Sequence, residues 1–378
     1  MQCTLMHGDI EVADLRMGVD GISRIASIHS PGHMPLGTTM KCMGDRRALN
    51  EWWKGRSIPA SRGGLGFLLN TLDIDDPTEL LTRSLGLSLS DQYWIRPAEE
   101  CIAWNDVDFF RNPFSEDVGD LLFGERPKAE EPDLSSPDST CEGNLQKRWR
   151  IVNGERCLLK SGSKPFLQEP FNEAIASDIL ESLDIPHVPY RLIRSEDDIL
   201  SSCRDFIGTD TEFISAYRAM KVRKRRNDES VYGFFVSVCA EHGLDAIPFL
   251  DRMITFDYLI ANTDRHLNNF GIVRDATTLE WIGFAPIFDN GGSLWFDCAT
   301  EDIGSVAGLE CKPFKKGFEE QLGMVTSFDW LDPDGLDGIP SIVETVMTEE
   351  NGWRYSSRAD AIVSALGPRA DRLRMLAG

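Results

Sequence analysis

Along the chain, the spacing of apolar and polar positions changes character twice: a front part of mixed pattern, a β-rich middle and a helix-rich rear. Over residues 1–120 short alternating stretches are mixed with two helix-like segments. Asp45 stands where an N-cap would open ALNEWWKGR, and Asp76-Pro77 opens TELLTRSLG. An aspartate accepts from the free N–H groups of a first turn, and a proline at the first helical position has no N–H to lose. Turn clusters at 30–33 (SPGH) and 61–64 (SRGG) interrupt the region. Trp52 and Trp53 are adjacent on the first predicted helix and so point different ways, which favours core packing of at least one over a shared recognition surface. Residues 125–140, ERPKAEEPDLSSPDST, are rich in Pro, Ser and acids and form the clearest break in composition, where the first domain is expected to end.

Beyond the break, RWRIVNGERCLLK reads as two strands joined by Asn153-Gly154, a dipeptide suited to the positive φ angles of a tight hairpin. EPFNEAIASDILESL carries apolar residues at 171, 175, 176, 179, 180 and 183, the stripe of a helix docked on a sheet, with Pro186 ending it. HVPYRLI and the stretch around SCRDFI read as further strands, and from about 211 the pattern turns mostly helical. DRMITFDYLIANT predicts an apolar helix running directly into a polar loop. The C-terminal SSRADAIVSALGPRADRLRML predicts a pair of amphipathic helices broken at Gly367-Pro368.

A length of 378 residues suggests about two domains, and 42% hydrophobic with 26% charged residues is an ordinary globular composition. The balance of 39 basic and 61 acidic residues, a net charge of −22, argues against non-specific binding to DNA or to an anionic membrane surface, so any phosphate must be met locally. Nine cysteines without a C-x-x-C pair read as reduced thiols, not as a disulfide framework or a zinc site. The first residues lack a basic start followed by an apolar core, and no apolar run approaches the ~18–20 residues that span a bilayer, so a cytoplasmic location is expected. Lys221-Val222-Arg223-Lys224-Arg225-Arg226 is the one basic cluster, read as a solvated helix end, with docking of an acidic protein or RNA as the alternative.

The chemistry concentrates in Asp264-Arg265-His266-Leu267-Asn268-Asn269-Phe270-Gly271 and in Pro286-Ile287-Phe288-Asp289-Asn290-Gly291-Gly292. Phosphoryl transfer from a nucleotide needs a carboxylate aimed at the incoming hydroxyl and oxygen ligands for Mg²⁺ close to it. An Asp and an Asn five residues apart on one loop supply the first carboxylate and one ligand. A second Asp, in a turn that glycine permits, supplies another. Between them TTLEWIGFAPIFD has strand-like halves, so a hairpin is expected to bring the two loops side by side.

This combination resembles the HipA-like serine/threonine kinases, and more distantly the phosphoinositide-kinase-like catalytic loop D-R-H-x-x-N before D-F-G, with DRHLNN and DNG standing here. The resemblance covers roughly residues 135–300. It implies an α+β, two-lobed protein-kinase-like fold with a β-rich N-lobe and a helical C-lobe, preceded by an accessory α+β N-terminal domain: 1–124, 125–210 and 211–378. It implies Asp264 as catalytic base, His266 as a phosphate or loop-positioning residue, and Asn269 and Asp289 as Mg²⁺ ligands. Lys160 would reach the α- and β-phosphates of ATP, fixed by Glu173 in the first turn of the next helix. SPDSTCEGNLQKRW would be the loop over the phosphates, with Ser139, Thr140 and Gly143 as ATP contacts and the two hydroxyls as autophosphorylation candidates. Cys203-Arg204-Asp205-Phe206 aligns with the interlobe linker that meets adenine, which adds Arg204 and Phe206 to the ATP site. The implied acceptor is a protein Ser or Thr; a small-molecule or lipid kinase of the same fold, and a non-catalytic binding module, are the alternatives. An antitoxin-like protein partner is implied by the family, with neither nucleic acid nor membrane expected as a direct partner. Residues 1–120 are not matched to the family's characteristic N-terminal subdomain.

Overall fold

The computed structural model describes residues 1–378 apart from 41–42, 127–130, 142, 196–197 and 306–308. Part of the expected composition break, Glu142 of the expected phosphate loop and Cys42 therefore lie outside the described residues.

The first sheet is antiparallel, formed by β1 (Gln2–His7), β2 (Ile10–Gly18), β3 (Gly21–Ile28) and β4 (Tyr93–Pro97) in the order β3-β2-β1-β4. Helix α1 (Arg46–Lys54) lies against β3. Its start is the expected one: Asp45 Oδ1 accepts from Arg47 N at 2.9 Å and Ala48 N at 3.1 Å. Trp52 and Trp53 both join the core, with Leu5, Leu15, Ile22 and Tyr93, so the pair builds no recognition surface.

The second sheet holds β5 (Lys147–Val152), β6 (Glu155–Lys160), β7 (Tyr190–Arg194) and β8 (Ile199–Arg204), ordered β5-β6-β8-β7 and antiparallel throughout. Asn153 (φ 52°) and Gly154 (φ 83°) make the expected turn between β5 and β6. Helix α2 (Glu169–Ser182) stops before Pro186, where Asp184 takes φ 52°. Right after that exit, Val188 N donates to Ile287 O and Ile287 N to Pro186 O, both at 2.9 Å. This short bridge pins the approach to Asp289 onto the β-rich lobe.

The rear of the chain departs from its pattern in three places. Residue 211 opens a strand, not a helix: β9 (Thr211–Ser215) pairs with β10 (Gly271–Asp275), which pairs with β11 (Trp281–Phe284). The hairpin between the two chemical loops is thus β10–β11; only the Trp281–Phe284 part of the expected stretch is a strand, because its partner comes before it. The C-terminal segment is one helix, α4 (Ser356–Ala377), with Pro368 inside. Pro368 is exposed, while Ile362, Leu366, Ala370 and Leu373 form one buried stripe across it, so packing on both sides outweighs the lost backbone hydrogen bond. Helix α3 (Ile247–Leu259) is the expected apolar helix. One core runs from Phe171, Ile175 and Ile179 of α2 through Met253 and Phe256 of α3 to Ile362 and Leu366 of α4, which joins the two lobes. Among the described residues no helix is long and apolar enough to cross a membrane.

The first sheet is locked to the helical lobe through buried charge. Glu212 on β9 accepts from His7 Nε2 at 2.8 Å, Gln92 N at 2.7 Å and Arg274 Nε at 2.8 Å. Arg274 also reaches Tyr93 Oη at 3.1 Å, and His7 Nδ1 lies 2.9 Å from His33 Nδ1. Burial alone would raise the Glu212 carboxyl, but the hydrogen bond and charge from His7, with Arg274, hold it down at about 2, below the usual 4.5. A depressed carboxyl contributes stability above its unfolded value that is lost as pH falls through its folded value. Glu212→Gln is therefore expected to cost on the order of 3 kcal/mol at pH 7. The gap from wild type should close between about pH 4.5 and pH 2 in urea unfolding; a gap independent of pH would refute the network's role.

Candidate active site

The site begins with a lysine that cannot be solvated. Lys160, the last residue of β6, is buried, and its Nζ lies 2.8 Å from Glu173 Oε1, 2.7 Å from Asp289 Oδ1 and 3.0 Å from Tyr190 Oη. Burial works against its charge, but Asp289 and Glu173 hold its pKa well above the usual value. The same exchange settles Asp289: burial would raise it, yet Lys160 and Lys147 hold it far below the ordinary carboxylate range. Burial pushes Glu173 up, opposed by Lys160. Glu173 sits one turn deeper in α2 than expected. The acid of the first turn is Glu169, which accepts from Ser163 N, while Glu173 Oε2 accepts from Asn290 N at 2.8 Å.

Asn290 stands where the D-F-G pattern has phenylalanine, directly after Asp289, and the structure gives it a partner. Arg265 is fully buried and pairs with Asp257 at 3.0 Å; it also donates to Asn269 O at 3.0 Å, Phe288 O at 2.6 Å and Asn290 Oδ1 at 2.5 Å. One guanidinium thus fastens the loop of Asp264 and Asn269 to the loop of Asp289. Thr263 N and Oγ1 both donate to Gly292 O at 3.0 Å, and a side chain at Gly292 would stand 2.8 Å from Asp264 Cβ, so glycine permits the approach.

Asp264 is half exposed, its Oδ1 3.0 Å from Lys312 Nζ. Asn269 Nδ2 donates to Asp264 O at 3.0 Å, which leaves its Oδ1 for a ligand; on Asp289, Lys160 takes Oδ1 and leaves Oδ2. Two oxygens of this kind suit Mg²⁺, which keeps waters and substrate phosphates as its other ligands. Among the described residues no group of three or more His, Cys, Asp or Glu is placed to hold a metal. His266 donates its N–H to Asp264 O at 2.7 Å, and its Nδ1 accepts from Asn268 N at 3.3 Å, so it braces its own loop.

Residues 122–298 match the HipA-like C-terminal domain family. Over that stretch, just under half of its length, the chain is similar to HipA-like C-terminal domains. The resemblance carried by the two loops is borne out over that stretch. Serine/threonine-protein kinase CtkA of Helicobacter pylori is 27% identical over 178 residues, 41% of this chain and 54% of that protein. The chain therefore spans about half the length of the curated relative that it matches. Among solved structures, a chain of the Shewanella oneidensis MR-1 toxin–antitoxin complex of HipA, HipB and operator DNA covers 99% of this chain and 99% of its own, with a TM-score of 0.55 at 13% identity. That likeness of fold takes in residues 1–120, which the sequence alone leaves unmatched. The H. pylori proinflammatory kinase CtkA covers 62% of this chain and 90% of its own, with a TM-score of 0.48 at 19% identity.

Several of the expected ATP contacts lie elsewhere. Ser139 and Thr140 are not in an open loop: they belong to a buried 3₁₀ turn, Pro137–Thr140, and Thr140 Oγ1 donates to Leu87 O at 2.8 Å. Both side chains are buried, so neither hydroxyl is presented for phosphorylation. Arg204 is exposed and paired with Glu155 at 2.6 Å. Phe206, by contrast, is partly buried beside the site, its ring 5.5 Å from Phe288, which precedes Asp289, and 5.8 Å from Phe213. Gly143 (φ 92°) does border the site, since a side chain there would meet Lys147 Nζ at 2.8 Å.

Three site residues escape the motif reading. Lys147 lies directly across the sheet from Lys160, a pairing that counting back from the Asn153-Gly154 turn gives. Burial lowers its pKa, with the negative charge of Asp289 among the influences opposing this. Arg62 has no local signal: from the first domain it donates to Gly143 O at 2.6 Å and Cys141 O at 2.5 Å. Arg265 is in the motif but gives no sign there of its partner Asp257. Arg265→Met is expected to lower unfolding free energy by about 3–5 kcal/mol, because it strands a buried carboxylate; a loss under about 1 kcal/mol in urea would show that the two loops are held by something else.

Proposed function

We propose that the chain is an ATP- and Mg²⁺-dependent kinase that transfers the γ-phosphoryl group to Ser or Thr hydroxyls of a protein. The observation that carries this reading is the convergence of Lys160, Glu173 and Asp289 on one buried ammonium, beside a loop that offers Asp264 and Asn269. Lys160 holds the triphosphate by charge, and Glu173 keeps its ammonium in place. Asn269 and Asp289 hold Mg²⁺, which neutralises charge on the phosphates when bound. Asp264 orients the acceptor hydroxyl and takes its proton as the new O–P bond forms. His266 keeps the loop carrying Asp264 in shape. The open, half-exposed setting of Asp264 supports a protein acceptor, since an extended segment has direct access to it.

The likeness to the HipA fold extends the proposal to an antitoxin-like protein partner, because the Shewanella structure is a complex with HipB and operator DNA.

The test is transfer of label from γ-labelled ATP to a mixture of Ser/Thr-containing proteins, with ATP consumption followed in parallel. Asp264→Asn is expected to lower turnover by about 10²–10⁴-fold with an unchanged melting temperature, since its carboxylate is half exposed. Asp289→Asn should abolish Mg²⁺-dependent turnover. Near-normal rates for Asp264→Asn would sink the reading.

A further inference from the structure

An open depression of about 400 Å³ lies beside Asp264, lined by Tyr217, His266, Leu267, Asn268, Lys312 and Pro313. Lys312 comes from beyond the matched domain, which ends at residue 298. Its Nζ is 3.0 Å from Asp264 Oδ1, with both side chains about half exposed. An ion pair so exposed is worth roughly 0–1 kcal/mol, so stability does not account for the lysine's placement.

The backbone under Lys312 is nevertheless built with care. Gln321 is buried; its Nε2 donates to Lys312 O at 2.8 Å, and its Oε1 accepts from Phe314 N at 3.0 Å and Lys315 N at 3.1 Å. Cys311 N donates to Lys316 O at 2.8 Å and closes the turn. The Phe314 ring anchors it against Tyr232 at 5.2 Å and Phe270 at 6.2 Å, the latter adjoining Asn269. One buried amide thus fixes the turn that presents the ammonium to Asp264. Lys160 serves the nucleotide side of the site and is fully engaged there. Lys312 stands on the acceptor side, and Lys316 on the same turn is turned to Glu310 instead.

Resting on the kinase reading above, we propose that Lys312 is a catalytic residue that contacts the transferring phosphoryl group. Before nucleotide arrives, Asp264 holds the ammonium at the reaction centre. During transfer the acceptor oxygen bonds to the γ-phosphorus, the bond to the β–γ bridging oxygen breaks, ADP leaves, and the acceptor proton passes to Asp264. Lys312 stays protonated and donates to an equatorial oxygen of the γ-phosphoryl, where negative charge must be held while both axial bonds are partial.

The experiment compares the full chain with Lys312→Met, Lys312→Arg, Lys316→Met and Asp264→Asn. Turnover of ATP with a protein acceptor or with water, KM for ATP and melting temperature are measured. Lys312→Met is expected to lower kcat by about 10²-fold with KM for ATP and melting temperature within error, and Lys312→Arg to recover a large part of the loss. Lys316→Met should match wild type. If Lys312→Met keeps kcat within about three-fold of wild type, or raises KM alone, the lysine has no part in the transfer step. Full turnover by Asp264→Asn, or an inert wild type, would instead overturn the kinase reading and this proposal with it; an inert Asp264→Asn beside an active Lys312→Met rejects the lysine alone.

Discussion

The two loops of the candidate site are arranged around a charge that has left water. Arg265 is fully buried, and a guanidinium in that state is tolerable only with a carboxylate and enough acceptors to occupy its fork. Asp257 supplies the charge from the last turn of α3; the remaining acceptors are Asn269 O from the loop of Asp264, and Phe288 O and Asn290 Oδ1 from the loop of Asp289. Any displacement of either loop leaves donors of that fork unmet inside the protein. This steep penalty, not the modest worth of individual loop contacts, gives Asp264, Asn269 and Asp289 fixed relative positions on irregular backbone. A DNG triplet fits the same logic, because asparagine at 290 offers the fork an oxygen that phenylalanine lacks.

What the chain discloses before folding depends on how local each signal is. Asp264, Asn269, Asp289, Lys160 and Glu173 were legible because each belongs to a short pattern with a chemical reason, and the Asn153-Gly154 turn fixes the register that places Lys160. The same register sets Lys147 opposite Lys160, but no motif singles it out. Arg62 and the Asp257 partner of Arg265 were not legible, since a buried arginine and its acceptors need no sequence spacing. Ser139 and Thr140 show the opposite failure: a polar run rich in Pro and Ser reads as open loop, but Thr140 finds Leu87 O in the first domain and the turn closes. At Pro368 a strong breaker is overruled because the apolar stripe of α4 continues on both sides of it.

The first domain reaches the site as well as the scaffold. Arg62 holds the carbonyls of Cys141 and Gly143, Ser61 Oγ meets Asn144 Oδ1 at 2.5 Å, and Gly143 in turn makes room for Lys147. The segment preceding β5 is therefore held by residues about 80 positions earlier, and a change at Ser61 or Arg62 reaches the lysine side of the cleft through these hydrogen bonds.

The Glu212 network sets a limit on how such a protein can evolve. His7 and Gln92 lie outside the stretch that matches the HipA-like domain, whereas Glu212 and Arg274 lie inside it. A lineage that shed or exchanged the front sheet would leave a carboxylate with part of its donor set missing in the interior of what remained. The donors that one buried carboxylate needs are thus drawn from a longer stretch of chain than the one that matches the family model.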